Sequence, residues 1–116
     1  MQPIEKALWF VEGHLADDLA LDDIAEVAGL SRFHLVRAFG RAYGLPPHRY
    51  QVGLRVERAK RLLAAGEQAG RVALAVGFSD HAHFARTFRR WTGVTPARYA
   101  KNVQDTGAGL RLDVAS

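Results

Sequence analysis

The chain has 116 residues, 48% apolar, 24% charged and 9% aromatic, a size and composition that exclude disordered and collagen-like classes and leave no room for a catalytic domain beside a separate sensor. It contains no cysteine, which excludes disulfide scaffolds and Cys-ligated zinc and favours a reducing, cytoplasmic setting. The formal net charge of +4 conceals a polarity: residues 1–30 carry one Lys against seven acids, whereas residues 31–100 carry thirteen Lys or Arg against three acids.

No apolar run approaches the roughly 18 residues of a membrane span, so no membrane partner is expected. The opening MQPIEK lacks the basic start and apolar run of a signal peptide. Ile4, Ala7, Leu8, Val11 and Leu15 recur at helical spacing and predict an amphipathic first helix, with Pro3 tolerated in its first turn. Leu21, Ile24, Ala25 and Ala28 begin a second, short helix with Asp22 and Asp23 in its first turn and Gly29 at its end. Ser31 is a good N-cap for a third, whose inward face is Leu35, Ala38, Phe39 and Ala42 and which Gly44 closes. From about Pro47, the stripe Val52, Val56, Ala59 and Leu63 predicts the longest helix, a connector stopped near Gly66. No window alternates with period two, so no strand is expected. From Gln104 the sequence QDTGAGLRLDVAS has no helical face and reads as a frayed tail.

An internal repeat organises the rest. Ile24, Ala25, Gly29 and Ser31 are answered 48 residues on by Val72, Ala73, Gly77 and Ser79. After one inserted residue the offset becomes 49, and Leu35, Arg37, Phe39, Arg41, Gly44, Pro47, Arg49 and Tyr50 are answered by Phe84, Arg86, Phe88, Arg90, Gly93, Pro96, Arg98 and Tyr99. Each copy reads as a helix-turn-helix: a small residue where two short helices touch, a glycine in the turn, and an apolar residue facing back from the second helix. A basic segment in this arrangement suits a polyanion, because each phosphate contact releases counterions.

With these residues, and with Arg55, Ala59, Leu62-Leu63, Phe78-Ser79-Asp80, Phe88-Arg89-Arg90 and Gly93-Val94-Thr95-Pro96, the chain resembles the DNA-binding domain of the AraC/XylS family of bacterial transcriptional regulators over about residues 4–100. The resemblance implies an all-α fold with two helix-turn-helix subdomains joined by a long central helix, here residues 1–50 and 67–101 joined by 51–66, followed by a flexible tail over 102–116. It also implies double-stranded DNA and RNA polymerase as partners, a nucleoid-associated location, and binding as a monomer, either as a stand-alone regulator or as a fragment of a longer one. Where the family often has a Ser or Thr before the second helix this chain has Ala20, and where it often has a capped start for the fifth helix this chain has Gln68-Ala69-Gly70.

Helical phase selects the DNA-reading side chains. Opposite the core side of the third helix lie Phe33, Arg37 and Gly40, flanked by Arg32, Val36 and Arg41. In the sixth helix Phe84, Thr87, Phe88 and Trp91 are expected inside, leaving Ala82, Arg86 and Arg89 outward, with His83 beside them, His81 at the start, and Arg90 near the end as a phosphate anchor. Arg37 and Arg86 are equivalent, and arginine pairs bidentately with guanine O6 and N7, while Phe33, Val36 and Ala82 suit thymine methyl groups. Each arginine could instead hold a phosphate or a surface ion pair, and Phe33 and Val36 could pack on a neighbouring loop.

His81 and His83 do not share a helical face and no Cys or carboxylate cluster accompanies them, so no metal is expected. No paired nucleophile and base, phosphate loop or paired carboxylates appear, so neither an enzyme nor a cofactor is expected. The competing class is a basic helical adaptor for RNA or an acidic protein, but stacking aromatics on a sheet, the usual RNA platform, are not in evidence.

Overall fold

Seven α-helices follow one another in the computed structural model, which describes residues 1–106, and no strand occurs among them. They are α1 (Pro3–Gly13), α2 (Leu21–Ala28), α3 (Arg32–Tyr43), α4 (Pro47–Ala64), α5 (Ala69–Ala75), α6 (His81–Thr92) and α7 (Pro96–Thr106). The chain divides into two units, residues Met1–Arg55 and the residues from Val56 on. None of the described helices is long and apolar enough to cross a membrane.

In the first unit, Ala7 and Val11 of α1, Ile24, Ala25 and Ala28 of α2, and Leu35 and Phe39 of α3 form the buried core. Ile4, Leu8, Tyr43, Tyr50 and Leu54 close over it. In the second, Val56, Ala59 and Leu63 of α4 meet Val72, Ala73, Val76, Phe78, Phe84 and Phe88, with Val94, Tyr99 and Ala100 packed alongside. The internal repeat therefore corresponds to two equivalent cores, Leu35 and Phe39 in one, Phe84 and Phe88 in the other. All four of these side chains are fully buried.

The helix-turn-helix corner is built the same way twice. Gly29 and Gly77 adopt φ of +72° and +100°, and the following residues donate backward: Leu30 N–H to the Ala25 carbonyl at 3.0 Å, Phe78 N–H to the Ala73 carbonyl at 2.9 Å. This is the Schellman closure, which satisfies the last carbonyls of the first helix and needs a residue at ease with positive φ. The two N-termini that lead into these corners are weak. Ala20 and Gln68 cap α2 and α5 without a side-chain hydrogen bond. Ala20 already has extended N-cap backbone, φ −84° and ψ 145°, so Ala20→Ser is expected to stabilise the chain by about 1 kcal/mol, read as a shift of the urea midpoint at unchanged slope.

The first half of α4 acts as a clamp that its apolar pattern does not advertise. Gln51, 3% exposed, donates its side-chain amide to the carbonyls of His14, Leu15 and Asp17 at 3.3, 3.1 and 2.8 Å. One turn on, Arg55 donates Nε to the Leu15 carbonyl at 2.6 Å and Nη2 to that of Asp17 at 2.9 Å. Burial lowers the pKa of this guanidinium, while Asp18 and Asp17 act in the opposite direction. Gln51→Leu would take one of two donors from each of these carbonyls, Arg55 still serving Leu15 and Asp17 and the Asp17 N–H still serving His14, and is expected to cost about 1 kcal/mol in chemical denaturation.

Three features depart from the sequence expectation. Val52 is only half-buried, and the face that the first half of α4 turns to its core is Tyr50, Gln51 and Leu54. Ala42 and Trp91, expected inside, are exposed, Trp91 at 37%. The tail expected over 102–116 is corrected at its start, because residues 102–106 continue α7, a helix absent from the expectation; residues 107–116 lie outside the described residues. Thr95 opens this helix by accepting the Arg98 N–H on Oγ1 at 3.1 Å, and Pro96 takes its first position, where no N–H is needed.

Candidate nucleic-acid interface

The outward faces of α3 and α6 are framed by matching caps. Ser31 Oγ accepts the His34 N–H at 3.1 Å, and Asp80 Oδ1 accepts the His83 N–H at 2.7 Å. The inserted residue between the repeats thus falls before Asp80, which replaces Ser31 as the cap, rather than Ser79. Both helices run for twelve residues and end at a left-handed glycine, Gly44 at φ +85° and Gly93 at φ +89°. Identical length and equivalent capping present side chains of equal register at offset 49.

On α3 the structure brings Arg32, Phe33, Val36 and Arg37 together around an open groove of about 550 Å³, which Leu21 at the start of α2 also lines. Phe33 is 79% exposed and Val36 36%; neither is covered by a neighbouring loop. Arg37 and Arg41 are exposed and form no ion pair among the described residues. Arg32 differs, since its Nε lies 3.1 Å from Asp22 Oδ1 with both side chains largely in solvent. Such a pair contributes at most about 1 kcal/mol, so a phosphate could displace the carboxylate at little cost.

On α6 the exposed side chains are His81, Ala82, His83, Arg86, Arg89 and Arg90, with Trp91 after them. His83 stands edge-on to Phe78 with ring centroids 5.2 Å apart, which orients it without burying it. No group of His, Cys, Asp or Glu among the described residues could hold a metal ion. Arg89 lines a second groove, of about 260 Å³, with Gly93, Val94, Thr95 and Arg98. Arg98 is a cation that the helical-phase argument passed over; its pairing with Arg49 in the repeat was the available signal.

The profile of a helix-turn-helix domain matches residues 24–102, the greater part of the chain and both corners. A crystal structure of an AraC-type regulator from Chromobacterium violaceum is 33% identical, covers 86% of this chain and 90% of that one, and superposes with a TM-score of 0.79. The chain belongs to the AraC-type helix-turn-helix transcriptional regulators. The HTH-type transcriptional activator AarP of Providencia stuartii is 35% identical over 90% of this chain and 76% of its own length. The DNA-binding domain of AdpA, solved in complex with a target DNA, gives a TM-score of 0.85 at 26% identity, covering 91% of this chain and 96% of that one. The chain spans only 27% of the length of an uncharacterized HTH-type regulator of Bacillus subtilis that it also matches.

Proposed function

We propose that the chain regulates transcription by binding double-stranded DNA sequence-specifically, inserting α3 and α6 into successive major grooves as a monomer. The observation that carries this reading is the pair of equivalently capped, twelve-residue helices whose outer faces carry exposed arginine, histidine and apolar side chains over a fully buried core. Arg37 and Arg86 read guanine; Phe33, Val36 and Ala82 meet thymine methyl groups; His81 and His83 make polar contacts. Arg32, Arg41, Arg89 and Arg90, joined by Arg98, hold phosphates and set the register without reading sequence. The activity is binding rather than catalysis, RNA polymerase is the protein partner, and the setting is the nucleoid within the cytoplasm.

A salt-titrated gel shift with random duplex, single-stranded DNA and RNA as competitors tests the reading. Duplex competitor is expected to be the strongest of the three, and affinity to fall steeply with salt because several phosphate contacts release counterions. Equal or better competition by RNA would favour a basic RNA-binding adaptor and overturn it.

A further inference from the structure

The two recognition helices share length, a side-chain N-cap, a closing glycine and the central arginine, yet they differ at several outward positions. Phe33 is answered by Ala82, Val36 by Ala85 and Gly40 by Arg89. The first helix therefore carries an apolar groove between cations, and the second carries an added cation where the first has glycine. Phe33 at 79% exposure is the most exposed large aromatic side chain among the described residues, and it is held at the first turn of α3 beside Arg32 and Arg37.

An exposed phenylalanine between Arg37, which forms no ion pair among the described residues, and Arg32, held only by a solvent-exposed pair with Asp22, is unsuited to water and equally unsuited to a basic partner. In the major groove, the one apolar group that a base pair offers is the methyl at pyrimidine C5, and it lies beside the acceptors that arginine reads. Resting on the proposed DNA binding, we propose that the Phe33–Val36–Leu21 groove of α3 is a receptor for pyrimidine C5 methyl groups, so that operator recognition responds to methylation at C5 and does so chiefly in the α3 half. Thymine and 5-methylcytosine present the same methyl group there; uracil and unmodified cytosine lack it. On α6 only the small Ala82 side chain is placed to touch a methyl group, and Ala82 and Ala85 form no such groove, so the other half responds more weakly to the same change.

Uracil substitution removes that methyl group and leaves every hydrogen-bonding group of the base in place. The whole chain would first be used to select sites from a random duplex pool, with the α3 half identified as the half whose base preference Arg37→Ala relaxes. Each thymine is then replaced by uracil, singly, in both halves. At the contacted thymines of the α3 half, affinity is expected to fall about fourfold per methyl, the equivalent of one buried CH₂-sized group. In the α6 half, where only Ala82 is placed to meet a methyl group, the loss should be markedly smaller. Where cytosine replaces a contacted thymine, methylating it at C5 should recover about the same fourfold. In Phe33→Ala, a surface substitution that leaves the core intact, the uracil effect should vanish. An enriched site insensitive to uracil in the α3 half overturns the methyl receptor alone, and so does an unchanged uracil effect in Phe33→Ala. Unaltered DNA affinity and methyl dependence in Phe33→Ala would instead assign the groove to a protein partner. A pool that enriches no sequence overturns the base-reading proposal itself, and the methyl receptor with it.

Discussion

Leu63→Ala is expected to destabilise the second unit by about 2 to 5 kcal/mol. Leu63 is 2% exposed and sits among Val56, Ala59, Val72, Ala73, Val76, Phe78, Phe84 and Phe88. Truncation removes the transfer free energy of three carbons and opens a cavity. Ala59 and Ala73, which border it, have no side-chain length with which to fill the space, so the cost should fall in the upper part of that range. Set against the roughly 5 to 15 kcal/mol that holds a domain folded, such a loss weakens DNA binding at working temperature as well. Leu62, next to it but only half-buried, is the control and should cost markedly less. A Leu63→Ala protein melting at the parent temperature would contradict the burial of this face of α4.

The second large effect falls on DNA recognition. Arg37→Ala and Arg86→Ala are each expected to weaken the selected site by about 1 to 3 kcal/mol and to relax base choice in their own half. The two arginines share no partner among the described residues, so the double variant should lose about 2 to 6 kcal/mol by simple addition. Random duplex should hardly register either change. Arg90→Ala, proposed to remove a phosphate contact and not a base contact, should in contrast weaken all sequences alike and lower the salt slope by about one unit. Binding of the three variants to selected and random duplexes across a salt series separates these roles. Equal weakening of both duplexes by Arg37→Ala would make that arginine an anchor too.

Much of this architecture was legible in the sequence because the repeat states it twice. A glycine at Gly29 and Gly77 and paired apolar residues at Leu35 with Phe39 and at Phe84 with Phe88 specify a corner and the core behind it. Helix α7 was overlooked although Pro96, Tyr99, Ala100 and Val103 repeat the spacing of Ile4, Ala7, Leu8 and Val11 in α1; its start is marked by the Thr95 cap and Pro96. The clamp formed by Gln51 and Arg55 was not legible. Polar side chains on an amphipathic helix read as its solvent face, and only the course of the turn after α1 reveals the carbonyls they serve. Trp91 shows the opposite error. Its phase and bulk suggested the core, yet Phe84, Thr87 and Phe88 already fill that face, leaving Trp91 over a third exposed. At the interface, phase alone placed Phe33, Val36 and Arg37 together, whereas the contribution of Leu21 depends on how α2 crosses α3 and has no sequence signature.

Hydroxyl-radical and base-methylation footprinting of the protein on its selected duplex tests most directly whether both helices read DNA at once. One copy per duplex is expected to protect two major-groove stretches on a single face, centred about 34 Å or one helical turn apart, over a site of about 20 base pairs without two-fold symmetry. A single protected stretch, or a symmetric site occupied by two copies, would contradict it.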